Sequence, residues 1–482
     1  MSILHGLSWG YIERWGNKIF TLLVFILLAR LLDPKDFGLI AFARLFIDYL
    51  NSFSGQGLDM AVIQRKEITD QHLNSAFWIN NLMAAIFALL LYVIAPFIES
   101  YFSESGVTNV LRVLIIVFLI NSLIRVQVAI LMRNYQFKQL AISGLAASIG
   151  GGAVGVILAL KGYGVWSLVF QQVSSMVIAV LLLWNASNWR PSLTFSVKAA
   201  KELYVFAVKA FYDQQLTFVS KRIDEALVAF FLGMTLLGYY SVAKRIFETA
   251  VELIYGVLSK VLVTVYSKTQ DDIASIIEKT RRINILMAAV SFPIFVLAAV
   301  ANQEVVIFLF SEKWRLASIP FAILMLSGLF MLAPNLLHPI FNALGRPVVP
   351  LRLNGFRAIA SAILIWIGAP FGLMGIALAV LTRNLIGGWL DFVFFKIESK
   401  CNVSLIWRDQ ITYAFYCLPM ALVILAIGNS SVGKMAVAER LLAYGISGIL
   451  VYILTLFIFN ASVIDDANKI WVKFISQRKG GR

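Results

Sequence analysis

The sequence predicts an all-α polytopic membrane protein with about 14 transmembrane helices. Three observations carry that prediction. Of 482 residues, 60% are hydrophobic and 14% are charged, where a soluble domain carries about 25% charged residues. The apolar runs recur from end to end of the chain, so the excess does not belong to one buried core. Each run is about 20 residues or longer, where a barrel strand needs about 10 with strict alternation. A helix satisfies every backbone N–H and C=O within itself, as lipid requires.

The spans fall in order at residues 11–32, 37–64, 73–98, 107–132, 140–160 and 164–186, then at 203–232, 235–265, 283–310, 318–343, 350–369 and 372–395, and finally at 410–428 and 438–460. Turns built on helix breakers separate several of them, at Asp33-Pro34-Lys35-Asp36, Lys161-Gly162-Tyr163-Gly164 and Gly233-Met234-Thr235. Such short turns make neighbouring helices antiparallel, and no loop is long enough to hold a soluble domain. Residues 1–18 carry Glu13, Arg14 and Lys18 and lack the short apolar core of a cleavable signal. They read as an amphipathic lead-in to the first span.

Net charge is +15. Nucleic-acid binding is not needed to explain it, because cytoplasmic loops of membrane proteins collect Lys and Arg. With the N-terminus inside, the cytoplasmic loops and tail hold about 21 basic residues and the outer loops about 6, which places both termini in the cytoplasm. Cys401 and Cys417 have neither the number nor the spacing of a metal site or a disulfide framework.

A shift of about 200 residues aligns the chain with itself. Ala29 falls on Ala229, Leu32 on Leu232, Gly38 on Gly238, Ala43 on Ala243, Arg44 on Lys244 and Asp48 on Glu248. Tyr163-Gly164-Val165 and Phe371-Gly372-Leu373 each open the sixth span of a half. The expected organisation is an N-terminal six-helix lobe at 1–186, a cytoplasmic linker at 187–202, a C-terminal six-helix lobe at 203–395, and two appended helices with a basic cytoplasmic tail at 396–482. Six spans per half keep the halves in the same orientation, so the repeat is parallel, about an axis along the membrane normal.

The charges inside the spans point to function. About 14 basic and 9 acidic residues lie within them, where each charge at the bilayer centre costs about 2.5–3.5 kcal/mol on insertion scales. Some sit near span ends and can snorkel, among them Arg30, Asp59 and Asp391. Others sit four apart on one helix face, as in Arg44/Asp48, Lys244/Glu248, Lys209/Asp213 and Lys221/Glu225. The alternative for each such pair is a permanent ion pair that holds helix register. The excess of positive charge remains, and it concentrates in spans 1, 2, 7 and 8. It is explained by an anionic ligand in a cationic, water-filled vestibule between the halves. Arg30, Arg44, Lys221, Arg222 and Lys244, with Arg125 and Arg383, are the candidate substrate-binding residues. A guanidinium can hold a phosphate through two hydrogen bonds. Asp48 and Glu248 are the candidate ion-coupling groups.

Catalytic patterns are absent from the sequence. His5, His72 and His338 are scattered, no GxxxxGK[ST] loop exists, and Gly150-Gly151-Gly152 with Gly155 reads as a close helix-packing surface. No metal and no cofactor is implied. Pro293, Pro320, Pro334, Pro339 and Pro370 lie in or near spans, where they kink helices.

Several segments carry a resemblance. They are residues 28–38 (Leu28-Ala29-Arg30-Leu31-Leu32-Asp33-Pro34-Lys35-Asp36-Phe37-Gly38), residues 57–65 (Gly57 to Arg65) and Leu73-Asn74-Ser75-Ala76-Phe77-Trp78, together with the stretch 162–169 and Trp189-Arg190-Pro191. With the 14-span plan, the chain resembles the polysaccharide flippase branch, colanic-acid-exporter type, of the multidrug/oligosaccharidyl-lipid/polysaccharide exporter superfamily. The resemblance implies ion-driven movement of a lipid-linked oligosaccharide, on an undecaprenyl-pyrophosphate carrier, across a bacterial cytoplasmic membrane. Its partners would be that lipid-linked substrate and membrane lipids, with a polysaccharide polymerase and a chain-length regulator as candidates and no nucleic acid. A drug exporter of the same superfamily would need an acidic cavity, which the positive excess opposes. A membrane polymerase or glycosyltransferase would need a large loop for glycan chemistry.

Overall fold

A computed structural model describes residues 3–53, 56–65, 67–267, 273–343, 348–399, 404–430 and 435–459. Among them every regular element is helical, in agreement with the fold class read from the sequence. The order is α1 (Ile3–Leu31), α2 (Pro34–Phe53), α3 (Gln56–Gln64), α4 (Asp70–Phe102), α5 (Val107–Arg133), α6 (Phe137–Leu160), α7 (Val165–Ala186), α8 (Val197–Ser267) and α9 (Ile273–Val300). It continues with α10 (Asn302–Phe310), α11 (Ser318–Gly328), α12 (Leu332–Ala343), α13 (Val348–Gly368), α14 (Gly372–Ser399), α15 (Ser404–Tyr416), α16 (Leu418–Gly428) and α17 (Val437–Phe459).

Among the described residues, nine helical stretches are long and apolar enough to cross a membrane. Several expected spans are divided. Span 283–310 is α9 and α10 joined at Ala301, 318–343 is α11 and α12 joined through residues 329–331, and 410–428 is α15 and α16 joined at Cys417. Conversely, α8 runs through two expected spans, interrupted only at Gly233 with φ 79° and ψ 178°. Hydropathy averages over a window and does not register a break of one to three residues, which is why these divisions escape it.

The chain forms two compact units, Met1–Ser241 and Val242–Arg482. In the first, α6 packs against α1 and α7. A Cβ on Gly151 would stand 1.9 Å from the Ser175 hydroxyl of α7, and one on Gly152 would stand 2.7 Å from Val24 of α1. The glycine run is thus a packing surface, as expected. Small residues let helix backbones approach where no hydrophobic drive between helices exists in lipid.

The 187–202 linker is fastened to the start of α4 by the residues that carry the family resemblance. Asn74 Nδ2 donates to the hydroxyls of Ser192 (2.6 Å) and Thr194 (2.9 Å), and Ser192 N–H donates to Asn74 Oδ1 (3.0 Å). Trp78 Nε1 donates to the Ser192 carbonyl (2.8 Å), and Trp189 packs edge-on against Phe77. Next to these contacts, Arg65 and His72 both hold Glu202, and Arg133 Nη1 donates to the Val62 and Arg65 carbonyls that end α3. The hydrogen bonds from His72 and Arg65 hold the Glu202 carboxyl below the usual carboxylate range.

In the second unit, α13 packs against α14, α9 against α11 and α15, and α16 against α17. Arg281 of α9 donates through Nε and Nη2 to both oxygens of Asp409 of α15. Gly164, which opens α7, and Gly372, which opens α14, share one unusual backbone conformation, φ 53°, ψ −132° and φ 67°, ψ −153°. A side chain is strained at such φ values, so glycine stands at both turns.

Candidate functional site

In the first unit, charges from α2 and α8 meet around Asp48. Arg44, one helical turn earlier on α2, places Nη2 3.9 Å from Asp48 Oδ2, and Arg222 Nη2 of α8 stands 3.9 Å from the same oxygen. Both separations are longer than a hydrogen bond, so Asp48 is shared by two guanidinium groups without a closed bidentate fork. Arg222 Nη1 also donates to Glu225 Oε1 (2.8 Å). The i, i+3 pair Arg222/Glu225 thus adds a contact to Glu225 beside the i, i+4 spacing of Lys221 and Glu225. Asp224 beside it is buried and accepts from the Tyr240 hydroxyl (2.7 Å). The Arg44 side chain is 45% exposed and that of Asp48 29%, so the cluster remains accessible.

The other expected substrate-binding residues are distributed as follows. Arg30 and Lys221 are exposed. Arg125 is buried, and Nη1 donates to Asp59 Oδ2 (3.1 Å) while Nη2 donates to the Asn51 carbonyl (3.1 Å). Asn80 Nδ2 completes Asp59 at 3.4 Å and Asn121 Nδ2 completes Asn51 at 2.8 Å. That network joins α2, α3, α4 and α5. Asp59, expected near a span end, is instead compensated in place, because a buried carboxylate without a partner costs several kcal/mol, of the order of 3–5.

In the second unit, Lys244 is buried with Nζ 4.0 Å from Glu248, one helical turn on. Arg383 donates through Nη1 to the Ser361 hydroxyl (3.2 Å) and through Nη2 to Asn384 Oδ1 (2.9 Å). The Lys209/Asp213 pair lies outside the described side chains. The structure thus gathers Arg44, Asp48 and Arg222 into one cluster and keeps Arg125 in a separate interior network.

One charged group was missed. Asp391 of α14, expected to snorkel at a span end, is wholly buried, with Arg357 of α13 on one oxygen and His338 of α12 on the other. Its signal lay in Arg357 itself, a cation in mid-span with no acidic residue one turn away on its own helix.

Residues 27–319 match the family model described as polysaccharide biosynthesis protein. The succinoglycan biosynthesis transport protein ExoT of Rhizobium meliloti (strain 1021) is 23% identical over 375 residues, covering 77% of this chain and 75% of that protein. The lipopolysaccharide biosynthesis protein WzxC of Escherichia coli (strain K12) is 21% identical over 416 residues, 85% of this chain and 84% of that one. Among solved structures, the lipid II flippase MurJ in an inward closed conformation aligns with a TM-score of 0.78 at 16% identity, over 96% of this chain and 100% of that chain. A MATE family multidrug resistance transporter of the MOP superfamily, inward-facing, aligns with a TM-score of 0.61, also at 16% identity, over 81% and 96%.

Proposed function

This chain belongs to the polysaccharide biosynthesis protein family, and from that premise we propose that it is a flippase for an undecaprenyl-pyrophosphate-linked oligosaccharide, acting in a bacterial cytoplasmic membrane with both termini inside. The observation that carries this reading is the Arg44–Asp48–Arg222 cluster. Two guanidinium groups share one carboxylate at 3.9 Å each, and each has a planar donor fork that matches a phosphate. The names of ExoT and WzxC, transport and lipopolysaccharide biosynthesis, support the same direction. So does the lipid II flippase fold. The function is transport rather than catalysis, and the glycan product serves a capsule, an exopolysaccharide or an O-antigen. A polymerase and a chain-length regulator are its partners downstream.

In this reading the pyrophosphate enters between Arg44 and Arg222 and displaces Asp48. Lys244, with Glu248 as its counter-charge, is the repeat-related position, and Arg30 and Lys221 add exposed positive charge on the same helices as the first spans of each half. Asp48 and Glu248 act in ion coupling because the substrate competes with them for the same cations. Each carboxylate gives up its basic neighbour when the substrate binds, and its affinity for a proton or cation rises.

Deletion of the gene should leave lipid-linked repeat units accumulated on the inner leaflet, and the wild-type gene should clear them. A deletion strain with normal surface glycan and no accumulated lipid-linked intermediate would overturn the proposal.

A further inference from the structure

Asp48 and Glu248 are 29% and 37% exposed, whereas among the described residues of the second unit the fully enclosed carboxylate is Asp391, at 0%. Arg357 Nη2 binds Asp391 Oδ2 and also donates to the Gly387 carbonyl (3.4 Å), and its Nη1 donates to Asn354 Oδ1 (3.3 Å). A Cβ at Gly387 would stand 2.8 Å from Arg357 Nε, so glycine at this position of α14 leaves room for the guanidinium to lie against the helix. His338 Nε2 stands 3.3 Å from Asp391 Oδ1 and its side chain is 23% exposed. The three helices thus bring a permanent cation, a buried anion and an imidazole into one contact.

The helix that carries His338 has a built-in break. Pro339 lies inside α12. It has no N–H, so the Asn335 carbonyl one turn earlier loses its helical donor. Tyr255 of α8 supplies the missing donor, its hydroxyl giving a 3.0 Å hydrogen bond to Asn335 O. A helix whose ladder is closed by a side chain from a neighbour can open there without the loss of a backbone bond. Three further cations on the elements packed against α12 are engaged elsewhere. On α9, Arg281 holds Asp409 of α15 and Arg282 holds Glu278, and on α14 Arg383 holds Ser361 and Asn384. These helices also carry Lys279 of α9, Arg352 of α13, Lys396 and Glu398 of α14, and Arg408, Tyr413 and Tyr416 of α15, and α8, which meets α12 through Tyr255, carries Lys244, Arg245, Glu248 and Glu252.

We propose that His338, Asp391 and Arg357 form a proton-binding site, with His338 taking up and releasing the proton during transport. The proposal rests on the reading of the chain as an ion-coupled flippase. With Nε2–H donated to Asp391, a neutral His338 keeps Nδ1 as the proton acceptor, and protonation there yields an imidazolium against the same carboxylate. Arg357 and Asp391 already cancel, so the site is neutral without the proton and carries one positive charge with it. A closed, dry environment disfavours the charged form, and an open, wet one tolerates it. Movement of α12 about Pro339 therefore loads the proton when His338 meets water and discharges it when the site closes.

Only three histidines are present in the sequence, His5, His72 and His338, so the site can be read directly. Full-length substrate-free protein with 15N-labelled histidine is followed by NMR from about pH 5 to 8, with His5→Gln and His72→Gln variants assigning the remaining imidazole. The expected result is a His338 titration whose midpoint moves by more than about one pH unit in Asp391→Asn. A His338 imidazole that does not titrate, or that titrates alike in both proteins, overturns the proposal. In vesicles, with undecaprenyl pyrophosphate bearing a single labelled sugar as probe, His338→Gln that remains monodisperse in detergent should lose at least tenfold in stimulation by a pH gradient. Full stimulation in His338→Gln also overturns it. A wild-type protein that moves no probe overturns the flippase reading instead, and the histidine titration still decides the proton site.

Discussion

The crossing of α2 and α8 at Gly38 and Gly238 offers a severe test of the structure. A Cβ on Gly38 would lie 1.8 Å from the Met234 carbonyl oxygen, and one on Gly238 would lie 1.8 Å from the Pro34 carbonyl oxygen. Both clashes are with backbone, so no rotamer change relieves either. Ordinary contact needs about 3.5 Å, so Gly38→Ala must part the helices by roughly 1.5 Å, enough to forfeit more than half of the van der Waals attraction across the crossing. Overpacking of this kind costs about 1–3 kcal/mol, occasionally more. Alanine in a helix returns at most about 1 kcal/mol through backbone entropy. The net expectation is a loss of about 1–2 kcal/mol. Gly355→Ala on α13 is the control, because nothing lies within 4 Å of its added Cβ, and it should be neutral or stabilising by up to about 1 kcal/mol. The two crossing substitutions are relieved by the same separation, so the double variant Gly38→Ala/Gly238→Ala should cost clearly less than the sum of the singles. The assay is the temperature at which purified protein loses monodispersity in detergent. Gly38→Ala as stable as Gly355→Ala, or strict additivity of the pair, would refute the reasoning.

Three further outcomes follow from named contacts. Arg44→Glu should abolish glycan export with membrane levels unchanged, measured by surface glycan and immunoblot, while Arg44→Lys should retain part of it because a point charge replaces the planar fork; normal export in Arg44→Glu removes Arg44 from the substrate path. Glu202 has a folded-state pKa below its ordinary value of 4.5, so its contribution is present above that value and is lost as pH falls through the lower folded-state one. Protection from hydrogen exchange in residues 187–202 should therefore hold in the wild type down to about pH 4.5 and fall below it, and Glu202→Gln should show the reduced protection already at neutral pH. Arg357→Leu alone should destabilise by up to about 3–5 kcal/mol by leaving Asp391 buried without its permanent cation and with His338 alone against it, and Arg357→Leu/Asp391→Leu should recover most of that loss, as read from yield and thermal stability; equal losses in the single and double variants would show that packing, not charge, sets the cost.

Much of this protein was legible in the amino-acid sequence, because the relevant physics is local. A bilayer demands continuous apolar length and internally satisfied backbone, and both are properties of single segments. The helical class, the turn glycines at Gly164 and Gly372, the Gly150–Gly155 packing surface and the i, i+4 pairs Arg44/Asp48 and Lys244/Glu248 can all be read from neighbours in the chain. The tertiary structure decided which charges from distant segments neutralise one another. Arg125 faces Asp59 from another helix, Arg222 reaches Asp48 across 174 positions of sequence, and Asp391 is enclosed by residues from α12 and α13. A buried charge is stable only where a partner happens to be folded against it, and periodicity along one helix holds no information about what stands opposite. Span positions follow from composition because lipid acts on each helix separately, whereas ion pairs depend on which helix faces meet.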